Sequence, residues 1–342
     1  MMRKLLFFTD ADPGPVDAPP DTVPDKRGFV AALAAHGVEG EYVVFYDKPW
    51  NPLADRHAIW RAIDPARALW AITRRRDAAA ILSFAESGIL VPLLLRPFHR
   101  IRLAVLHDSD HQDWRPRKLI QAFVLPRADL VLTQTKAQAR YLAAQYRLRR
   151  PPVYVGPRID EQFFRPMSQG PGDYVLAVGN DSARDFATLV AAAAPLDMRV
   201  VLLTRLAVRL PAEARCRFEV IDRRLSFREL RDLYAGARIV ALPMHERISP
   251  GGMTSLLEAM AMGRTSVLTA SSGVVELAAD GETALVTSLG DVEAFRSALA
   301  TLWQDPVRCT AMGEAARARF VSEYSTDRFA ARIAAALADV AR

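Results

Sequence analysis

ERISPGGMTSLLEAMAMGRTSVLT, residues 246–269, holds a loop, a helix and a strand in a row. Pro250-Gly251-Gly252 is a loop by composition. Thr254-Ser255 leads into Leu256-Leu257-Glu258-Ala259-Met260-Ala261-Met262, a run of strong helix formers. Gly263 ends that run as a left-handed C-cap residue does. Thr265 to Thr269, short and partly β-branched, reads as a strand.

That layout suits an anion. The first turn of a helix carries amides without partners, and its dipole is positive there. Glycines just ahead of it let a bulky group approach the backbone, so loop and helix make a phosphate-sized site. Glu258 lies on an otherwise apolar helix, where a carboxylate is costly unless something binds it. It falls at i+4 from Thr254 and i+3 from Ser255, on their face, and can accept hydrogen bonds from sugar hydroxyls beside a diphosphate. A capped core helix with one solvated Glu is the competing reading of the same residues.

The stretch resembles retaining glycosyltransferases of family 4, the glycosyl transferases group 1, which have the GT-B fold. Leu256 to Gly263 matches their L-L-E-A-M-A-x-G helix residue for residue. The resemblance implies an α/β protein of two Rossmann-like domains, with parallel sheets facing across a cleft. It implies a hexosyltransferase-type enzyme that moves a sugar from a nucleoside diphosphate sugar, a UDP- or GDP-sugar, to an acceptor hydroxyl with retention. Glu258 would hold the donor ribose, and the diphosphate would lie on Gly251, Gly252, Met253, Thr254 and Ser255. Pro250 stands where the family often has a second Glu that touches the donor sugar, so His245 and Glu246 become donor-sugar candidates.

Further matches extend the resemblance along the chain. Pro126 to Phe164 reads PRADLVLTQTKAQARYLAAQYRLRRPPVYVGPRIDEQFF, similar to the end of the family's N-terminal domain. Within it Leu130-Val131-Leu132 is strand-like, Thr135 is an N-cap, and Phe163 and Phe164 read as core at the hinge. Ile101 to Leu106 reads as a strand ending in His107, where the family has a His contacting the donor sugar. After the strand Tyr174 to Val178 the family has a basic pair that neutralises the leaving diphosphate. Arg184 fits the later member, Asn180 replaces the earlier one, and a surface Arg184 paired with Asp185 is the alternative. Catalysis would then rest on His107, Arg184 and Glu258. Gly273 to Val286 is also similar to the family, with Ala284 in place of its last Gly and Glu276 structural.

In order, the first half alternates strand-like and helix-like segments, which argues for a parallel α/β sheet. Leu5 to Phe8, Tyr42 to Phe45 and Ala79 to Phe84 are strands, with an Ala-rich helix ending at His36-Gly37. The loop 10–25, rich in Pro and Asp, keeps only Gly14 of the family's Gly-rich acceptor loop. Residues 166–172 read as a linker, Arg199 to Leu203 as a strand, and Leu225 to Ala237 as a helix before the strand Ile239 to Leu242. The boundaries expected are 1–165 for an acceptor-side domain and 166–327 for a donor domain. Helices from Asp291 onward end in a segment, about 328–342, that returns to the first domain.

Asp108-Ser109-Asp110 spells a D-x-D triplet, and His107 and His111 flank it. A solvated loop is the reading taken, so no metal and no cofactor beyond the donor substrate are expected. Cys216 and Cys309 lie far apart without metal spacing, and read as buried free thiols in a reducing cytosol. The start, MMRKLLFFTDADPG, has too short an apolar run for a signal-peptide core. The longest apolar run, Ile89 to Leu95, contains Pro92 and cannot span a bilayer.

The formal net charge is +6, and it is uneven. Residues 1–160 carry 24 Lys and Arg against 17 Asp and Glu, and Arg74 to Arg150 carry 15 against 6. Arg74-Arg75-Arg76, Arg96, Arg100 and Arg102 border Leu69 to Ile72, Leu93 to Leu95 and Phe98. Apolar residues beside arginines suit a peripheral, anionic membrane surface, and solvated arginines over buried helices are the competing reading. No nucleic-acid recognition motif accompanies the charge. The expectations are a cytoplasmic enzyme of glycan biosynthesis, peripheral on the inner membrane face, with a glycan or lipid-linked acceptor. A non-catalytic nucleotide-sugar-binding subunit and a GT-B enzyme of another class, such as an epimerase, are the alternatives.

Overall fold

Stretches such as Leu5-Leu6-Phe7-Phe8 and Val200-Val201-Leu202-Leu203 are apolar without alternation, the pattern of parallel strands covered on both faces. A computed structural model, which describes residues 3–9, 23–25, 28–44, 65–74, 77–107, 115–167 and 172–340, shows two such sheets, each in its own unit.

The first unit takes in Asp25–Gly156 with the N-terminal strand and the helix from Thr326 onward. Its elements are β1 (Arg3–Thr9), α1 (Gly28–Ala35), β2 (Val38–Val44), α2 (Pro65–Arg74), β3 (Ala78–Ser83), α3 (Leu90–Leu94), β4 (Arg102–His107), α4 (Arg115–Val124), β5 (Leu130–Thr133), α5 (Lys136–Gln145) and β6 (Val153–Tyr154). All pairings are parallel, in the order β2-β1-β3-β4-β5-β6. Both faces of the sheet are covered, one by a core containing Phe7, Phe29 and Leu132, the other by one containing Phe8, Ile81 and Leu142. Helix α5 opens on a capping box, in which Thr135 accepts from the Gln138 amide and the Gln138 side chain accepts from the Thr135 amide.

The second unit, Pro157–Ser325, contains β7 (Tyr174–Val178), α6 (Phe186–Ala193), β8 (Arg199–Leu203), β9 (Phe218–Ile221), α7 (Phe227–Gly236), β10 (Ala237–Leu242), α8 (Met253–Ala261), β11 (Thr265–Thr269), β12 (Ala284–Thr287), α9 (Val292–Gln304) and α10 (Pro306–Tyr324). Its strands run in the order β12-β11-β10-β7-β8-β9, again parallel. The order reverses between β7 and β10, so their carboxyl ends diverge into loops on opposite sides and open a crevice. Phe163 and Phe164, buried edge to face at 5.0 Å, belong to this unit's core. The last helix, α11 (Thr326–Val340), belongs to the first unit, where Phe329 packs against Phe29 with the rings tilted and their centroids 5.2 Å apart.

Several boundaries differ from those read in the sequence. Strand β2 begins at Val38, because a parallel partner on β1 carries Gly40 and two glutamates that alone read as loop. Phe45 and most of the loop 10–25 lie outside the described residues, as does the 108–114 loop with Asp108, Asp110 and His111. Cys309 is buried, its thiol donating to the Arg238 carbonyl at 3.2 Å, and burial pushes its pKa up to about 11. The side chain of Cys216 is outside the described residues.

Candidate active site

Three strand ends of the second unit build one loop cluster. β7 ends at Val178, β10 at Leu242 and β11 at Thr269. The chain after β10 is held from both sides. The Asp185 amide donates to the Pro243 carbonyl at 2.9 Å, and the His245 amide to Ala183 at 2.8 Å. On the other side the Met244 amide donates to Thr269 Oγ1 at 2.8 Å. These bonds carry the segment 183–185 against 243–245 and bring Arg184 over the start of α8.

Gly252 is the N-cap of α8, with φ of 81°, a left-handed conformation that a side chain resists. The Met253 amide turns back to the Pro250 carbonyl at 3.1 Å, so it is engaged within the loop. The amides of Thr254 and Ser255 close no backbone bond among the described residues, which leaves them for an anion.

Arg184 is 8% exposed and therefore not a surface residue. Its Nε donates to Asp181 at 3.2 Å, and its Nη2 donates to Ser255 Oγ at 3.0 Å in the first turn of α8. Its partner is Asp181 rather than Asp185, whose carboxylate instead caps α6 through the Thr188 amide and hydroxyl. A Cβ at Gly179 would stand 2.1 Å from Arg184 Nε, so only glycine lets the guanidinium lie across that turn. A buried cation thus stands at the positive end of a helix, with one exposed carboxylate for company. The buried Glu258 carboxylate also feels the Arg184 charge, and the open helix end beside them favours a further anion.

Glu258 follows one turn behind on the same face, 6% exposed. Burial raises its carboxyl pKa to about 7, against the pull of the Tyr234 hydroxyl and the Arg184 guanidinium. Tyr234 is fully buried, and burial beside the Glu258 charge pushes its pKa well up. Its hydroxyl is in electrostatic reach of Glu258 and Ser255 but closes no hydrogen bond of good geometry.

His245 and Glu246 are both exposed. His245 lies 3.8 Å from the Asp185 carboxylate, and Glu246 accepts from the Ser272 amide at 3.2 Å, so both brace the loop. Asn180 accepts from the Arg205 amide at 2.6 Å, a structural bond in place of the expected cation. Sequence reading missed Arg247, whose Nη2 donates to Ser182 Oγ at 2.9 Å and brings a second guanidinium to the Arg184 loop. Its position in an irregular loop, 65 residues from that partner, offers no spacing to read.

In the first unit His107 is the last residue of β4 and is 1% exposed. Its Nδ1 lies 2.5 Å from the Glu86 carboxylate, itself 1% exposed on the short 3-10 turn Glu86–Ile89 that follows β3. Its Nε2 is buried and closes no hydrogen bond among the described residues. Sequence reading missed Glu86, since nothing in its own neighbourhood marks it.

Residues 176–305 match the family described as Glycosyl transferases group 1. Solved structures share the fold along the whole chain. Sucrose-phosphate synthase from Thermosynechococcus elongatus superposes with a TM-score of 0.74 at 16% identity, covering 97% of both chains. Anabaena Alr3699/HepE in complex with UDP gives 0.70 at 15%, covering 99% of this chain and all of that one (100%). A glycosyltransferase from Rickettsia africae gives 0.70 at 12%, covering 99% and 98%. No curated protein sequence matches the chain significantly. The chain thus has the GT-B fold, and the match to the group 1 glycosyltransferase domain lies in its second unit.

Proposed function

We propose that the protein transfers a sugar from a nucleoside diphosphate sugar to an acceptor hydroxyl with retention of anomeric configuration. The observation that carries this is the convergence of Arg184, Ser255 and Glu258 on the first turns of a helix opened by Gly252. The complexes of Anabaena Alr3699/HepE with UDP and with UDP-glucose support a nucleotide-sugar donor for a chain of the same fold, and the reading admits a UDP- or a GDP-sugar.

In this reading the diphosphate lies on the Thr254 and Ser255 amides beside Gly251, Gly252 and Met253. Arg184 and Arg247 supply the cations, and Glu258 accepts from the ribose hydroxyls. As the bond between the anomeric carbon and the phosphate oxygen breaks, negative charge grows on the diphosphate. The amides and Arg184 are fixed in advance where that charge develops, which lowers the barrier. The acceptor oxygen attacks from the face the phosphate leaves, and a phosphate oxygen takes its proton. His107 contacts the donor sugar, with His245 and Glu246 as rim candidates. Residues 166–327 form the donor side, and 1–165 with the returning helix form the acceptor side. A glycan or lipid-linked acceptor in the cytoplasm, reached at the inner membrane face, fits the basic first half.

The test is turnover of UDP- and GDP-sugars with and without acceptor, with the anomeric configuration of the product read by NMR. A transferred sugar in the donor's configuration is expected. An inverted product would overturn the same-face mechanism, and binding without turnover would make the protein a binding subunit. An isomerised donor would make it an epimerase.

A further inference from the structure

Helix α8 runs from the candidate active site back to the amino ends of β10 and β11. There a cavity of about 390 Å³ opens, lined by residues of the second unit alone. That is the size of a small-molecule site. Arg238, Arg264 and Arg317 line it, with Met167 and Met262 on an apolar wall and the Glu314 carboxylate beside them. Arg238 stands second in β10, and Arg264 follows the Gly263 cap of α8. Arg317 comes from α10, where a Cβ at Gly313 would collide with the Gly263 carbonyl. Glycine lets the two helices cross that closely, and Arg317, one turn on, comes over the end of α8.

Helix-end carbonyls engage part of each guanidinium. Arg264 Nη2 donates to Ala235 at 2.6 Å, Arg317 Nη1 to Ala261 at 2.7 Å and Arg238 Nη1 to Trp303 at 3.3 Å, in the last turns of α7, α8 and α9. Helix capping accounts for that much, but a guanidinium has five N–H donors. Arg264 is 8% exposed, yet its Nε is buried and closes no hydrogen bond among the described residues. The titratable groups facing it are Tyr174 and Cys309, which burial keeps protonated by raising their pKa values to about 12 and about 11. Glu161 lies in electrostatic reach of Arg317 and gives it only a carbonyl, at 3.3 Å. Among the described residues none of the three arginines pairs with a carboxylate, and Glu314 is exposed. Burial lowers the pKa of Arg264 and of Arg317, so both charges are held out of water without a counter-ion.

We propose that this cavity binds a small phosphomonoester, its phosphoryl group held by Arg238, Arg264 and Arg317. Guanidinium forks match phosphate oxygens, and a dianion answers several cations better than a single carboxylate does. The volume exceeds what a bare phosphate fills, and Met167 and Met262 face the organic part. The site lies at the far end of α8 from the donor loop and does not rest on the nucleotide-sugar reading.

The experiment is calorimetry on the whole chain with inorganic phosphate, glycerol 3-phosphate, glucose 6-phosphate and glucose. At least one of the two esters should bind more tightly than inorganic phosphate, and glucose should not bind. Arg264→Gln should lower the ester's affinity roughly tenfold or more. Because Arg264 also caps α7, two variants at exposed positions of α10 separate binding from folding. Thr310→Glu adds a carboxylate to the lining and should abolish binding, whereas Glu314→Gln removes one and should tighten it. Both should melt as the wild type does. Arg184→Ala should leave the ester's affinity unchanged. Loss of binding in Arg184→Ala with none in Thr310→Glu would move the ligand to the donor loop and overturn the proposal. Inorganic phosphate bound as tightly as both esters would overturn the phosphomonoester. Binding by none of the probes, or an affinity indifferent to Thr310→Glu and Glu314→Gln, would return the three arginines to helix capping alone.

Discussion

Glu258 sets a measurable coupling between protons and donor. Its carboxyl titrates near pH 7 in the folded protein because burial outweighs the help of Tyr234 and Arg184. The unfolded chain titrates near the ordinary carboxylate value, so between those two the folded state holds a proton that the unfolded state has lost. Stability from this group is therefore complete below about pH 4.5 and falls as pH rises to about 7, by roughly 3 kcal/mol. Glu258→Gln should remove that component, read as a flatter denaturant midpoint against pH from 5 to 8. If ribose hydroxyls donate to the carboxylate, binding favours the ionised form. UDP affinity should then rise with pH through 7 in the wild type and lose that dependence in Glu258→Gln. Calorimetry showing the same slope in both proteins would remove Glu258 from the ribose site. Arg184→Ala should lower turnover more than it raises the Michaelis constant for donor, because charge on the diphosphate grows in the transition state. An unaltered kcat would leave Arg184 a loop brace held by Asp181 and Ser255. Chelation by EDTA should leave turnover intact, since guanidinium and amides stand where a cation would.

The opening of α8 depends on one backbone conformation. Gly252 holds φ of 81°, and a Cβ there would meet Met244 Sδ at 3.0 Å. Gly252→Ala should cost about 1–2 kcal/mol of stability from the left-handed backbone alone and weaken UDP binding by moving the first-turn amides. A variant that keeps wild-type UDP affinity while losing stability would separate the helix opening from the anion site. This element was legible because its signals are local: glycine loop, helix formers, the Gly263 cap with φ of 67°, then strand residues. Thr135 was legible for the same reason, with its partner three residues on. What escaped reading was set by contacts across the fold. Glu86 meets His107 over 21 residues, and Arg247 meets Ser182 over 65. Strand β9 is a four-residue edge, Phe-Glu-Val-Ile, whose pairing with β8 supplies what its own sequence lacks. Arg184 was legible as a residue type but not in its partner. Asp181 and Asp185 are equally near in sequence, and only the folded loop gives the first to the guanidinium and the second to α6.

The distribution of charge and apolar surface over the first unit bears on where the protein works. Leu94, Phe98 and Leu119 are 60%, 79% and 74% exposed, unusually open for large apolar side chains. They stand on α3, on the short turn after it, and on α4, which packs against α3. Arg100, Arg102 and Lys118 are exposed on these or adjoining segments. Arg96, also expected on a lipid surface, turns inward to the Asp129 carboxylate at 2.5 Å and is spent there. Among the described residues no helix is long and apolar enough to cross a membrane, so any lipid contact through these helices would be at the surface. Each basic residue near anionic lipid contributes about 1 kcal/mol, so the three exposed cations amount to about 3 kcal/mol. That is a change in partitioning on the order of a hundredfold, with the apolar side chains adding to it. Sedimentation with phosphatidylcholine liposomes of rising phosphatidylglycerol content should show binding that grows with anionic fraction and weakens at physiological salt. Phe98→Ser with Leu119→Ser should reduce binding at every lipid composition. Arg100→Gln with Arg102→Gln should reduce it only on anionic vesicles and flatten its salt dependence. UDP affinity should stay unchanged in all four substitutions, which separates loss of the surface from loss of the fold. Absence of sedimentation of the wild type with anionic vesicles at low salt would leave a water-soluble acceptor as the reading of the basic half.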